Sequence, residues 1–154
     1  MVDNKPIAVI TGASSGIGEQ ISLKLASHNF KTVLISRTKD KLIKIKKNIE
    51  DSGNECQIIV ADISGTSFID DLKKQLESPQ QVQVLINNAA NNPHVTDMQS
   101  GKSGHHWSQF EVFPLNIWEK DIAVCLTGAF LCLLLSDPSR RPSNIHVTLK
   151  NYLI

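Results

Sequence analysis

The chain has only three cysteines in 154 residues, Cys56, Cys125 and Cys132, and no two stand at Cys-x-x-Cys spacing. That excludes a disulfide scaffold and a thiolate zinc knuckle, and it fits a reducing, cytoplasmic compartment. An excess of one charge is also missing: 16 Lys plus Arg stand against 15 Asp plus Glu, a formal net charge of +1. No overall field draws the chain to nucleic acid or an anionic membrane, so any polyanion site must be local. The apolar stretch 122–135 falls short of the roughly 20 residues that span a bilayer, and Glu119, Lys120 and Asp121 precede it directly. It is expected to be a buried helix, and no membrane partner is expected. The amino end carries no apolar signal region. What remains, at 41% hydrophobic and 20% charged residues, is the composition of one globular domain over 1–154.

Strand and helix patterns alternate along most of the chain. Lys5 to Thr11 is a short β-branched run ending at Gly12, which suits a strand buried on both faces of a parallel sheet. From Ser15 a helix follows, with Ile17, Ile21 and Leu25 as its sheet-facing stripe, widened by Leu23 and Ala26. Lys31 to Ser36 reads as a second strand. A second helix, capped by Thr38 or Asp40, has Leu42, Ile45 and Ile49 as its apolar face and ends near Gly53. Gln57 to Ala61 is the third strand. A third helix carries Ile69, Leu72 and Leu76 and closes at Pro79, and Val82 to Ile86 is the fourth strand.

Parallel strands need long crossovers and a helix is the usual one, so this rhythm predicts a doubly wound α/β sheet, incomplete at four or five strands. Residues 91–116 form a polar, lid-like loop. The 117–135 helix follows, then a breaker-rich turn holding Pro138 and Pro142. Ile145 to Leu149 alternates weakly enough to be either a fifth strand or a loose tail.

The strongest chemical signal is Thr11-Gly-Ala-Ser-Ser-Gly-Ile-Gly18, placed between the first strand and the first helix. There Gly12 can make the tight turn, Gly16 can let the backbone approach a diphosphate, and Gly18 can remove a side chain where the helix meets the strand. The helix amides and positive dipole end then face the phosphates, with Ser14 and Ser15 adding hydroxyls. At the end of the second strand stand Ser36 and Arg37, with Lys39 and Lys41 beyond, where an acidic residue would receive a bare ribose. A guanidinium can clamp a 2′-phosphate bidentately, so NADP(H) is favoured over NAD(H).

The glycine turn, Asp62 after the third strand, Asn87-Asn88-Ala89-Ala90 after the fourth, and Trp118 with Leu126-Thr-Gly-Ala-Phe130 on the next helix together resemble a short-chain dehydrogenase/reductase. The resemblance runs to about residue 132, leaving 133–154 as an atypical tail. It implies a Rossmann-like fold and hydride exchange between a nicotinamide and a carbonyl or secondary alcohol of a small-molecule substrate. It also implies that Asp62 and Ile63 contact the adenine, that Ile17 joins the glycine turn at the cofactor, and that Asn88 and Ala89 line the ribose. Asn87 would brace the sheet centre, and a second copy would pair through the 117–135 helix. For Asp62 the plainer alternative is a helix cap before Ser64, and for the asparagines a turn whose side chains bond the local backbone.

The same resemblance calls for a serine and a Tyr-x-x-x-Lys pair, which this sequence does not hold. Its one tyrosine is Tyr152, two residues after Lys150 and without a lysine four on. Cys125 stands where the family usually has an asparagine that holds a water, and a thiol is a poor substitute as donor and acceptor. No catalytic residue is therefore assigned. The chain is expected to be a truncated, inactive form of the oxidoreductase or a nucleotide-binding module that does not turn the cofactor over. His94, His105 and His106 lack metal-ligand spacing, so no metal is expected.

Overall fold

The computed structural model describes residues 5–76, 82–91 and 113–134, together with the backbone of 146–149. Within them the chain runs β1 (Ile7–Thr11), α1 (Gly16–Ser27), β2 (Lys31–Ser36), α2 (Lys39–Asp51), β3 (Cys56–Val60), α3 (Phe68–Gln75) and β4 (Val82–Asn87). A longer helix follows in three consecutive pieces, α4 (Leu115–Ile122), a π-helical segment (Ala123–Gly128) and α5 (Ala129–Leu133), and β5 (His146–Leu149) comes last.

The five strands form one sheet in the order β3-β2-β1-β4-β5, parallel throughout. In the weakly patterned 145–149 segment, His146 to Leu149 form a strand and pair with Val84 to Asn87. Successive side chains of a strand point to opposite faces, and β1 shows it. Ile7 and Val9 enter one apolar cluster with Phe68, Leu72, Val124 and Cys132, while Ala8 and Ile10 enter the other with Ala26, Leu42, Ile45 and Ile49. So α1 and α2 cover one face, and α3 with the π segment and α5 covers the other. The doubly wound α/β expectation holds.

Two expectations about helices are corrected. In α1 the buried positions are Gly18, Ser22 and Ala26, whereas Ile17 is 45% exposed and Ile21, Leu23 and Leu25 are only partly buried. The helix face against the sheet is made of small residues, and the bulky ones flank it. Ser22 tolerates burial because its hydroxyl donates to the Gly18 carbonyl at 2.7 Å. The second correction concerns 117–135. The helix begins earlier, at Leu115 behind Pro114, and it is buried on one side only. Val124, Gly128, Ala129 and Cys132 face the core. Leu126 is 62% exposed and Phe130 58%, because the sheet covers a single face of the helix.

Among the described residues no helix is long and apolar enough to cross a membrane. The three cysteines are free thiols.

Candidate functional site

Strand order reverses between β1 and β4, so the connections leaving their carboxyl ends diverge to opposite faces and open a crevice. A cleft of about 300 Å³ lies there. It is lined by Gly12, Ser14 and Ser15 after β1, by Ser36, Arg37 and Lys41 around the end of β2, by Asp62 and Ile63 after β3, and by Asn88 and Ala89 after β4. Eight of the eleven residues singled out in the sequence meet on this surface. Gly16, Ile17 and Gly18 do not line it.

The glycine turn is held from three sides. Gly12 has φ +65°, and a Cβ there would lie 2.7 Å from Ala89 Cα and 3.0 Å from Asn88 Nδ2, so only glycine fits. A Cβ at Gly18 would collide with the Gly12 carbonyl oxygen and with Asn88 Nδ2. Gly18 therefore packs the start of α1 against the turn itself. Gly16 takes φ +58° with open space around it, as a close approach by a ligand requires.

Thr11, fully buried, ties β1 to β4. Its Oγ1 accepts the Asn88 and Ala89 main-chain N–H groups, each at 3.1 Å, and donates to the Ile86 carbonyl at 3.4 Å. The Asn88 side chain returns the bond, Nδ2 donating to the carbonyls of Thr11 and Gly12 at 3.2 Å each. Among the described residues it is Asn88 whose side chain braces the ends of β1 and β4. Asn87 is buried, and among the described residues neither of its amide atoms has a hydrogen-bond partner.

On the β2 side, Ser36 Oγ donates to Ser14 Oγ at 2.8 Å and accepts the Thr38 N–H at 3.2 Å, while the Ala13 N–H reaches the Ile35 carbonyl at 3.3 Å. Ser15, the residue before α1, is extended and makes no side-chain cap bond. The first amides of α1 are thus left without a side-chain cap, which is the form of a helix-terminal anion site.

Charge at the mouth is local. Arg37 Nη1 stands 4.0 Å from Asp62 Oδ2, both side chains more than half exposed, which makes the pair a weak one. Asp62 also accepts the Ser64 N–H at 3.0 Å, a bond within the turn after β3 and not a helix cap, since α3 begins only at Phe68. That backbone bond, with smaller help from the Ser64 hydroxyl and Arg37, holds the Asp62 carboxyl below its ordinary range.

Cys125 lies half-buried in the π segment against the first apolar cluster. Burial raises its thiol pKa, the Asn91 backbone opposes this, and the nearby Asp121 carboxylate adds to it. Asn91 Nδ2 in turn donates to Asp121 Oδ1 at 3.1 Å, which ties the chain after β4 to the helix.

Sequence reasoning missed the floor of the cleft. Ile35, Ala61 and Val124 add to its apolar lining beside Ile63 and Ala89. The first two could have been found as the residues at or just past the ends of β2 and β3. Val124 comes from a helix remote in sequence, and only the tertiary fold brings it there. Of the lid-like loop expected over 91–116, residues 92–112 lie outside the described residues, as do His94, His105, His106, Tyr152 and the tail after 149, while Leu115 and Asn116 at its end already belong to α4.

The comparisons with known proteins agree with this geometry. A family model described as short chain dehydrogenase matches residues 6–138. The chain is 43% identical over 82 residues to the Mus musculus protein named 17-beta-hydroxysteroid dehydrogenase type 3, a match covering 53% of this chain and 27% of that protein. The fold superposes with a TM-score of 0.72 and 27% identity on a metagenomic short-chain oxidoreductase solved in complex with NADP, over 87% of this chain and 56% of that one. It also matches an alcohol dehydrogenase from the archaeon Thermococcus sibiricus complexed with 5-hydroxy-NADP, at a TM-score of 0.71 and 26% identity, over 85% of this chain and 51% of that one. The matched stretch is thus about a quarter of the length of the mouse relative and about half the length of the two solved chains.

Proposed function

The chain belongs to the short-chain dehydrogenase family, and from that membership we propose that its cleft binds a nicotinamide dinucleotide, NADP(H) in preference to NAD(H). The observation that carries the reading is the meeting of the Gly12–Ser15 turn and Arg37 on one cleft. In this reading Gly12, Ser14 and Ser15 meet the diphosphate in the cleft, the amides of Gly16 and Ile17 at the uncapped start of α1 approach it from beside the cleft, and Gly18 serves by letting α1 pack on the turn. Arg37 and Lys41 receive the 2′-phosphate. Asp62 and Ile63 flank the adenine, and Asn88 and Ala89 flank the cofactor ribose.

For the whole protein the proposed activity is hydride transfer between the nicotinamide and a carbonyl or secondary alcohol, the bound cofactor supplying the hydride chemistry. These 154 residues hold no Tyr-x-x-x-Lys pair, and Cys125 is a poor donor and acceptor for the proton relay. The chain as given therefore binds the dinucleotide without completing the reaction. Cys125 also favours the second reading, a nucleotide-binding module without catalysis. Three free thiols fit a reducing, cytoplasmic setting, and the exposed Leu126 and Phe130 fit a second copy pairing through the helix.

Calorimetric titration with NADPH and NADH tests the cofactor reading. NADPH is expected to bind at least about tenfold more tightly, the scale of one charge-assisted clamp. Equal or tighter NADH binding removes the role of Arg37, and no heat from either removes the reading. Turnover by the purified chain would overturn the claim that it only binds.

A further inference from the structure

We infer that Gly128 is a positioning residue for the adenine wall of the cleft, acting through the main chain of Ile63. The inference rests on the dinucleotide reading above and extends it to a residue that does not itself line the cleft.

After β3 the chain turns at Asp62, whose carboxylate accepts the Ser64 N–H. The next side chain, Ile63, is 7% exposed and packs in the same apolar cluster as Val124. Ile63 and Val124 both line the cleft, one from the β3 turn and the other from the π segment. They are the apolar groups that a flat ring entering at this end would touch.

Their relative position is set one helical turn along. Gly128 closes the π segment and is buried. A Cβ built there would lie 2.7 Å from the Ile63 carbonyl oxygen and 3.1 Å from both Cγ1 and Cδ1 of Ile63. The nearest obstacle is backbone, so no change of rotamer relieves it. Any side chain at 128 forces the helix or the Asp62–Ser64 turn to retreat until ordinary van der Waals contact, 3.4 Å or more, is restored. Val124 precedes Gly128 by four residues and Cys132 follows by four, all three buried, so one stripe of the helix both rests on Ile63 and reaches the cleft.

A slot binds a ring through dispersion, and a gap of about 0.5–1 Å on one side forfeits roughly a quarter to a half of each contact. A retreat of several tenths of an ångström therefore weakens the adenine half of a ligand. The diphosphate half, held by the Gly12 turn, is left alone, since the atoms a side chain at 128 would meet first all belong to Ile63.

The test uses the full 154-residue chain and two probes, adenosine 2′,5′-bisphosphate and inorganic pyrophosphate, titrated by calorimetry. Gly128→Ala is expected to weaken the bisphosphate about tenfold while pyrophosphate stays within about twofold, and Phe130→Ala, on the exposed stripe, is expected to change neither. Unchanged bisphosphate affinity in Gly128→Ala, or equal loss of both probes, overturns the inference. If Gly128→Ala does not fold, the Ile63 and Val124 methyl resonances of the unaltered chain decide. Both should shift on adding bisphosphate and neither on adding pyrophosphate, and silence at saturating bisphosphate overturns the inference. If the unaltered chain binds neither probe, the dinucleotide reading has failed and this inference falls with it. If it binds both and Gly128→Ala loses nothing, the inference alone has failed.

Discussion

Asn88 and Thr11, 77 positions apart in the chain, hold each other reciprocally: Asn88 Nδ2 donates to the Thr11 carbonyl at 3.2 Å, and Thr11 Oγ1 accepts the Asn88 N–H at 3.1 Å. The bond pair joins the carboxyl ends of β1 and β4, the two strands between which the cleft opens.

Thr11→Val tests the weight of that link. Valine keeps the branched shape but removes the acceptor, which strands the Asn88 and Ala89 N–H groups in a part-buried place. A cost of about 2 kcal/mol or more is expected, since each such group left unpaired in a buried place costs about 1–3 kcal/mol and the part exposure of these two lets water meet some of it. Thr11→Ser restores the hydroxyl and should recover most of it. Urea denaturation midpoints of the three chains check this, and a valine variant as stable as the parent would show the link to be dispensable.

How far the sequence spoke depends on contrast between faces. In α2 the buried Leu42, Ile45 and Ile49 stand among lysines, and their spacing marked the buried face correctly. In α1 the buried residues are Gly18, Ser22 and Ala26, which carry almost no hydrophobic signal. Their burial follows from close approach of helix to sheet, a tertiary fact that periodicity does not encode. The site follows the same logic. Gly12, Arg37, Asp62 and Asn88 each lie just past a recognisable strand, so parallel topology alone gathers them. Val124 and the π segment had no such marker, because Ala123–Gly128 reads as ordinary helix in the sequence.

Arg37→Ala should separate the two cofactors. Its guanidinium lines the cleft and has only a weak, long ion pair with Asp62 to lose, so the folded chain should tolerate the change. NADPH affinity is expected to fall about tenfold or more, with NADH within about threefold of the parent. Parallel fluorescence titrations read both, and an equal loss would mean that Arg37 shapes the cleft without reading the 2′-phosphate.

Cys132 offers a pH-dependent signature of the core. Burial without a compensating partner pushes its thiol from 9.0 up to about 12. The folded chain holds this proton more tightly than the unfolded one, so the associated stability is fully present below pH 9 and is lost as pH rises toward about 12. Chemical denaturation from pH 8 upward should show the parent losing stability faster than Cys132→Val, in which the titration is gone. Thiolate absorbance gives a second readout. If Cys132 ionises near pH 9 in the folded chain, the helix is not seated on the sheet as described.

The exposed stripe of the same helix should make the chain self-associate. Leu126 and Phe130 stand four residues apart with 62% and 58% of their surface in water, and Trp118 and Leu134 on the same helical stretch are nearly half exposed. Full burial of a side chain of that size is worth roughly 1.5–3 kcal/mol, so covering the stripe on two copies offers several kcal/mol against the cost of association. The opposite stripe is already committed to Ile63 and the core, so charge can be added on the outer one without disturbing the cleft. In sedimentation velocity the parent is expected to show concentration-dependent dimers or larger species. Leu126→Lys with Phe130→Glu, a helical i,i+4 pair of opposite sign, should shift it to monomer while leaving nucleotide affinity within about twofold. A parent that stays monomeric to high concentration would show that the patch is too small, or too wet, to hold a second copy.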